Sequence, residues 1–256
     1  MKPSDMGFTE DAIFNGEVVL RQSASGYRFS LDALLLAWFA YALPAERALE
    51  LGAGCGVVSL ALAHKRPGLS IDAIEIQASL ARLARGNAES NGLDSVIVHE
   101  IDLRRLCAPR WEGTYDLVFS NPPYRALGRG RLNRDPEKAR ARHELLCTLE
   151  EVAARAAFAL RPGGRSAFVL LAARAGELEA AAARHGLVLR RRCWVRPHAG
   201  RAPNLLLALL QEGTARALAD SEIVVYAAPR RYTPKLKSIL SGAWEAEEHP
   251  LADLDT

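Results

Sequence analysis

Between residues 47 and 172 the chain alternates short apolar runs of strand length with helical stretches, which leaves few architectures open. "RALELG" (47–52), "SIDAIE" (70–75), "SVIVHE" (95–100), "YDLVFS" (115–120) and "RSAFVLLA" (165–172) read as strands. Val57 to His64, Ala78 to Asn91 and a segment around Leu145 to Leu160, closed by "RPGG", read as helices. Such repetition builds a parallel sheet with helices on both faces, a doubly wound α/β fold. A helix from Ala175 to Arg184 and strands near 187–195 and 204–211 follow. The short link between those two strands suits an antiparallel pair at a sheet edge, which gives seven strands in all.

Outside this core, "EVVLRQ" (17–22) reads as a short strand, and a buried helix runs from Phe29, capped by Ser30 or Asp32 and stopped before Pro44. The expected division is an N-terminal extension over 1–46, a doubly wound α/β unit over 47–212 and a C-terminal extension over 213–256 with a loose acidic tail after Trp244.

With 49% hydrophobic and 25% charged residues, the chain can bury a substantial core, which excludes wholesale disorder. Cys55, Cys107, Cys147 and Cys193 stand singly, without the spacing of a zinc site or a disulfide framework, so no metal is expected. The longest apolar run, Ala33 to Leu43, is well short of the ~20 residues of a membrane span. "MKPSDMGFTED" has no signal-peptide pattern. A cytoplasmic protein without membrane partners is the expectation.

"ELGAGCG" (50–56) places Gly52, Gly54 and Gly56 between a strand and a helix, where a ligand approaches the backbone closely. A dinucleotide site wants G-x-G-x-x-G. Here the spacing is G-x-G-x-G, and Glu50, two residues earlier, would repel a phosphate and favour an ammonium or sulfonium. That pattern points to S-adenosylmethionine. Glu75 closes the next strand, where a carboxylate can accept both ribose hydroxyls. Asp102 follows the strand after that, where it can accept from an adenine amine. The candidate cofactor contacts are Asp32, Glu50, Gly52, Gly54, Glu75, Ile76, Asp102, Leu103 and Asn121.

The fourth strand delivers "NPPY", Asn121, Pro122, Pro123 and Tyr124, to the carboxyl edge of the sheet, where ligands of open α/β folds bind. Proline donates no N–H, so the turn offers acceptors only. An exocyclic amine is a poor nucleophile because its lone pair is delocalised into the ring. Acceptance of its hydrogens by the Asn121 side-chain oxygen and the Pro122 carbonyl would localise that pair, and Tyr124 could stack on the base. No general base is needed, since the methylated amine can lose its proton to water.

Residues 125–142 follow with a net charge of +5. Arg125, Arg129, Arg131, Arg134 and Arg142 are candidate contacts there for a polyanion such as RNA. Smaller basic groups lie at 190–201 and 230–237, and His143 and His198 read as surface or phosphate contacts.

The glycine loop, Glu75, Asp102 and "NPPY" resemble class I, Rossmann-like methyltransferases that modify exocyclic or amide nitrogens. "YRFSLDALLLAWFA" (27–40) and "ARARHE" (139–144) extend the likeness to the bacterial tRNA1(Val) adenine-N6-methyltransferases, which act on the adenosine beside the anticodon. The resemblance implies that Gly52, Gly54, Glu75 and Asp102 bind S-adenosyl-L-methionine, that Asn121, Pro122 and Tyr124 hold the base, and that the partner is a tRNA. Arg125 departs from several family members, which carry an aromatic or apolar residue there. Protein glutamine N5-methyltransferases also use "NPPY", but only about 46 residues precede the first core strand, too few for their usual N-terminal helical domain. DNA adenine methylation stays open. A nicotinamide oxidoreductase is opposed by the glycine spacing, and a catalytically silent RNA-binding scaffold by the intact loop and tetrad.

Overall fold

The structure, a computed structural model, describes residues 7–23, 31–122, 147–213, 219–244 and 249–251. Phe8–Ile13 (β1) and Val18–Ser23 (β2) form an antiparallel hairpin, paired from Phe8 opposite Ser23 to Ile13 opposite Val18. Only the second strand is evident in the sequence, because the adjacent Glu10 and Asp11 mask the alternation of the first. The overlooked signal is the turn, where Asn15-Gly16 is a pair that favours tight hairpins. Phe14 in that turn is fully buried, stacked on His64 and edge-on to Trp244 at 5.2 Å, so the hairpin is fastened to the core.

Helix α1 (Leu31–Tyr41) is buried continuously from Ala33 to Ala40, as befits a helix apolar on every side. Asp32 lies within its first turn and so is not an outer cap; Ser30 falls outside the described residues. The core then runs β3 (Arg47–Leu51), α2 (Val57–Lys65), β4 (Ser70–Glu75), α3 (Ala78–Ser90), β5 (Val96–Glu100) and β6 (Tyr115–Ser120). Helix α4 (Leu149–Ala159) opens on a capping box, with Thr148 Oγ1 accepting from Glu151 N at 3.1 Å and the Glu151 carboxylate accepting from Thr148 N at 2.7 Å. Next come β7 (Leu160–Leu171), α5 (Ala175–Arg184), β8 (Leu187–His198), β9 (Leu205–Glu212), β10 (Ala219–Ala228), β11 (Arg231–Tyr232) and α6 (Pro234–Ser241). "RPGG" therefore lies inside the first half of β7, not in a separate helix stop.

The sheet holds nine strands, in the order β11-β10-β8-β9-β7-β6-β3-β4-β5. It is mostly parallel; β9 runs against both β7 and β8, the expected antiparallel pair. The two strands beyond the expected seven come from the C-terminal extension. The first half of β10, "ADSE", looks like a loop because its acids serve a neighbour: Asp220 meets Arg192 at 2.7 Å and Glu222 meets Arg196 at 2.8 Å. Two cations of the basic group at 190–201 are thereby neutralised.

Helices α1, α2, α3 and α6 cover one face of the sheet, and α4 and α5 cover the other, each over its own apolar cluster. Within the tail expected to be loose, residues 249–251 pack on the core. His249 is buried, with its ring 4.4 Å from Trp38 and its Nε2 3.0 Å from the Trp38 carbonyl oxygen, and Leu251 is buried as well. Burial pushes His249 down to about 4, so it is the neutral ring that packs there.

Candidate active site

Strands β6, β3, β4 and β5 are neighbours and parallel, so Asn121, the glycine loop, Glu75 and Asp102 stand side by side at one carboxyl edge. At ~4.8 Å per strand the row from Asn121 to Asp102 spans about 14 Å, enough for an extended nucleoside. Gly52 N and Ala53 N both donate to the Ile74 carbonyl at 2.9 Å, which folds the loop onto the end of β4. Gly52 and Gly54 have φ of +80° and +58°, and a Cβ on either would meet no atom within 4 Å. Their backbone conformation therefore requires glycine while the space beside them stays open.

Glu75 is 5% exposed and braces this loop. Its Oε2 accepts from Gly54 N and its Oε1 from Gln77 N, both at 2.8 Å. A carboxylate oxygen has room for two donors, so each retains a lone pair for a vicinal diol. Ile76 beside it is partly exposed, Leu103 is buried under the far end of the row, and Asp32 is partly exposed on α1.

Glu50 does not play the electrostatic part that its sequence position suggests. It is 1% exposed, and its carboxyl accepts from Ser59 N at 3.2 Å and from the Ser59 hydroxyl, at the start of α2. Burial pushes it up to about 8, so near neutral pH it is largely uncharged and repels no phosphate. Its work is to tie the end of β3 to α2 beneath the loop. Between the ordinary 4.5 and about 8, the unfolded chain gives up this proton while the folded chain keeps it, so stability falls as pH rises through that window. Glu50→Gln is expected to lessen the fall in melting temperature between about pH 5 and about pH 8.5; equal slopes in the two proteins would contradict the assignment.

Asp102 is already engaged. It accepts from Arg104 N at 2.9 Å, capping a short turn, and the Arg104 guanidinium forks onto both of its oxygens at 2.6–2.9 Å. That fork holds the carboxyl below the usual carboxylate range. An adenine amine at Asp102 must share these acceptors with Arg104, a pairing that the Asp-x-Arg spacing could have revealed.

At the end of β6, the buried Ser120 donates its hydroxyl to the Leu51 carbonyl at 2.7 Å, pinning the strand beside the glycine loop. Asn121 follows, partly exposed, then Pro122, buried. Pro123, Tyr124 and the arginines at 125, 129, 131, 134 and 142 lie outside the described residues. Among the described residues, no group of His, Cys, Asp and Glu could hold a metal ion, and no helix is long and apolar enough to cross a membrane.

Residues 32–175 match the model of the methyltransferase small domain. The chain belongs to this methyltransferase family. It is 30% identical over 84% of its length to the tRNA1(Val) (adenine(37)-N6)-methyltransferase of Tolumonas auensis, covering 88% of that protein. It is 32% identical over 82% of its length to the protein of the same name from Aeromonas hydrophila subsp. hydrophila, covering 87%. In fold it is similar to a predicted O-methyltransferase of Agrobacterium tumefaciens, with a TM-score of 0.66 and 21% identity over 82% of this chain and 96% of that one.

One part of the candidate site is not legible in the sequence. Asn87 on α3, 1% exposed, donates through Nδ2 to the Cys55 carbonyl of the glycine loop at 2.9 Å and to the Arg21 carbonyl at 3.0 Å, while its Oδ1 accepts from Arg21 N at 2.8 Å. One turn on, Asn91 treats Val19 in the same way. Two amides on one helix face thus imitate a paired strand for β2 and join the hairpin to the loop. The signal was Asn at i and i+4. Asn87→Ala is expected to cost about 2 kcal/mol, net of three lost bonds, and to lower the melting temperature by roughly 4–8 °C. An unchanged thermal transition would refute the bridge.

Proposed function

We propose that the protein transfers a methyl group from S-adenosyl-L-methionine to the exocyclic N6 of an adenosine in tRNA, at position 37 as in the names of its relatives. The observation that carries this reading is the placement of Asn121 and Pro122 at the end of β6, one strand from the open glycine loop and two from Glu75. The residues present suit the cofactor: the loop at 52–56 offers backbone without side chains, Glu75 two acceptors for a ribose diol, and Leu103 an apolar floor beside Asp102. When bound, S-adenosylmethionine supplies an electrophilic methyl.

The chain's own residues prepare the other partner. The Asn121 amide oxygen and the Pro122 carbonyl accept the two amine hydrogens, drawing the nitrogen away from conjugation and aiming its lone pair along the edge toward β3. Ser120, held to Leu51, keeps this pair of acceptors in register with the loop. Tyr124 is assigned the stacking role, and Arg125, Arg129, Arg131, Arg134 and Arg142 the flanking phosphates. Water takes the proton released by the methylated amine.

The test is incubation of the protein with methyl-labelled cofactor and separate tRNA, rRNA, DNA and protein fractions. Label in tRNA, lost when adenosine 37 is replaced by guanosine, is the expected result. Label in protein alone would favour glutamine methylation instead.

A further inference from the structure

Strands β8 and β10 run in the same sense as β6 and β3, because β7 and β8 both oppose β9. His198 and Tyr226, paired at the ends of these strands, therefore reach the same carboxyl edge as Asn121. Three aromatic rings collect there. Tyr226 and Tyr232 stack with centroids 5.2 Å apart and planes at 24°, and the His198 ring lies 5.4 Å from Tyr226 on the adjoining strand. Tyr232 stays 38% exposed, so the stack is open to solvent.

The cations beside it differ from those further along β8. Arg192 and Arg196 are spent on Asp220 and Glu222, whereas the exposed Arg230 and Arg231 have no ion pair among the described residues. Arg230 also sits in a costly conformation. Pro229-Arg230 is the two-residue corner between β10 and β11, and Arg230 has φ of +59°, where such turns take glycine or asparagine. A long cationic side chain held in a left-handed conformation at an exposed corner is the kind of outlier that points to function.

We propose that Tyr232, Arg230 and Arg231 form a second RNA contact, in which an unpaired base stacks on Tyr232 and the arginines hold its phosphates; this rests on the reading of tRNA as substrate. Sequence-tolerant binding of single strands uses this combination of stacking surface and cations. Tyr232 lies on β11, five strands from β6, ~24 Å along the edge, or about seven stacked nucleotides from the target base. It therefore grips the tRNA beyond the target's immediate neighbours and helps to set which RNA is accepted.

The rings and the cations give separable readouts when tRNA affinity is titrated against salt. Tyr232→Ala is expected to weaken binding by about five- to a hundredfold with an unchanged salt slope, while Tyr232→Phe binds like the parent. Arg230→Gly relieves the backbone, so its melting temperature holds or rises, yet its log–log salt slope becomes shallower by about 0.7. If the parent methylates tRNA but Tyr232→Ala and Arg230→Gly both bind it with the parent's affinity and slope, the second contact is overturned and the catalytic reading stands. If the parent neither binds nor methylates tRNA, the substrate reading is overturned and the second contact with it.

Discussion

Asn121→Ala is expected to lower the rate of methyl transfer by about a hundred- to a thousandfold while cofactor affinity stays within a few-fold, measured as single-turnover transfer and by calorimetry. Asn121 follows a strand whose last residue is fixed: Ser120 is fully buried and its hydroxyl is bonded to Leu51, so the amide is presented from a rigid base. The task proposed for it arises only as the amine's lone pair leaves conjugation, and an acceptor needed mainly in the transition state changes the rate more than binding. Asn121→Asp keeps an acceptor oxygen and should retain more activity than alanine. Retained turnover in the alanine variant would place the acceptors elsewhere.

The legible parts of this molecule are those that local chemistry dictates. Apolar runs separated by glycines gave β3 to β6 and their helices almost residue for residue, and the loop and acids fell where parallel strand ends must put them. Features that depend on partners distant in sequence were hidden. The acids of β10 make sense only beside Arg192 and Arg196, and β1 only once Phe14 is seated against Trp244. Likewise Glu50 looked like a charge facing a ligand, because sequence shows spacing but not burial; enclosure and Ser59 turn it into an internal tie. Asn87 was invisible for the reverse reason, a polar residue whose worth lies wholly in the backbone of a hairpin 66 residues earlier.

Glu75→Gln should weaken cofactor binding by roughly a hundredfold and lower the melting temperature by about 5 °C or more. The substitution preserves size and changes only what the two terminal atoms can do. In the native protein both are acceptors, one for Gly54 N and one for Gln77 N, each at 2.8 Å. An amide satisfies one of these donors and turns its NH2 on the other, leaving a backbone N–H facing a donor at a site only 5% exposed. An unsatisfied group there costs about 1–3 kcal/mol, and where the NH2 faces Gly54 N the glycine loop loses its tie to Glu75. The ribose suffers as well, since one of the two remaining acceptor positions becomes a donor. Calorimetry well below the variant's melting point separates the two effects: lost stability with unchanged affinity would make Glu75 a structural brace only, whereas weakened affinity in a folded variant assigns it to the ligand.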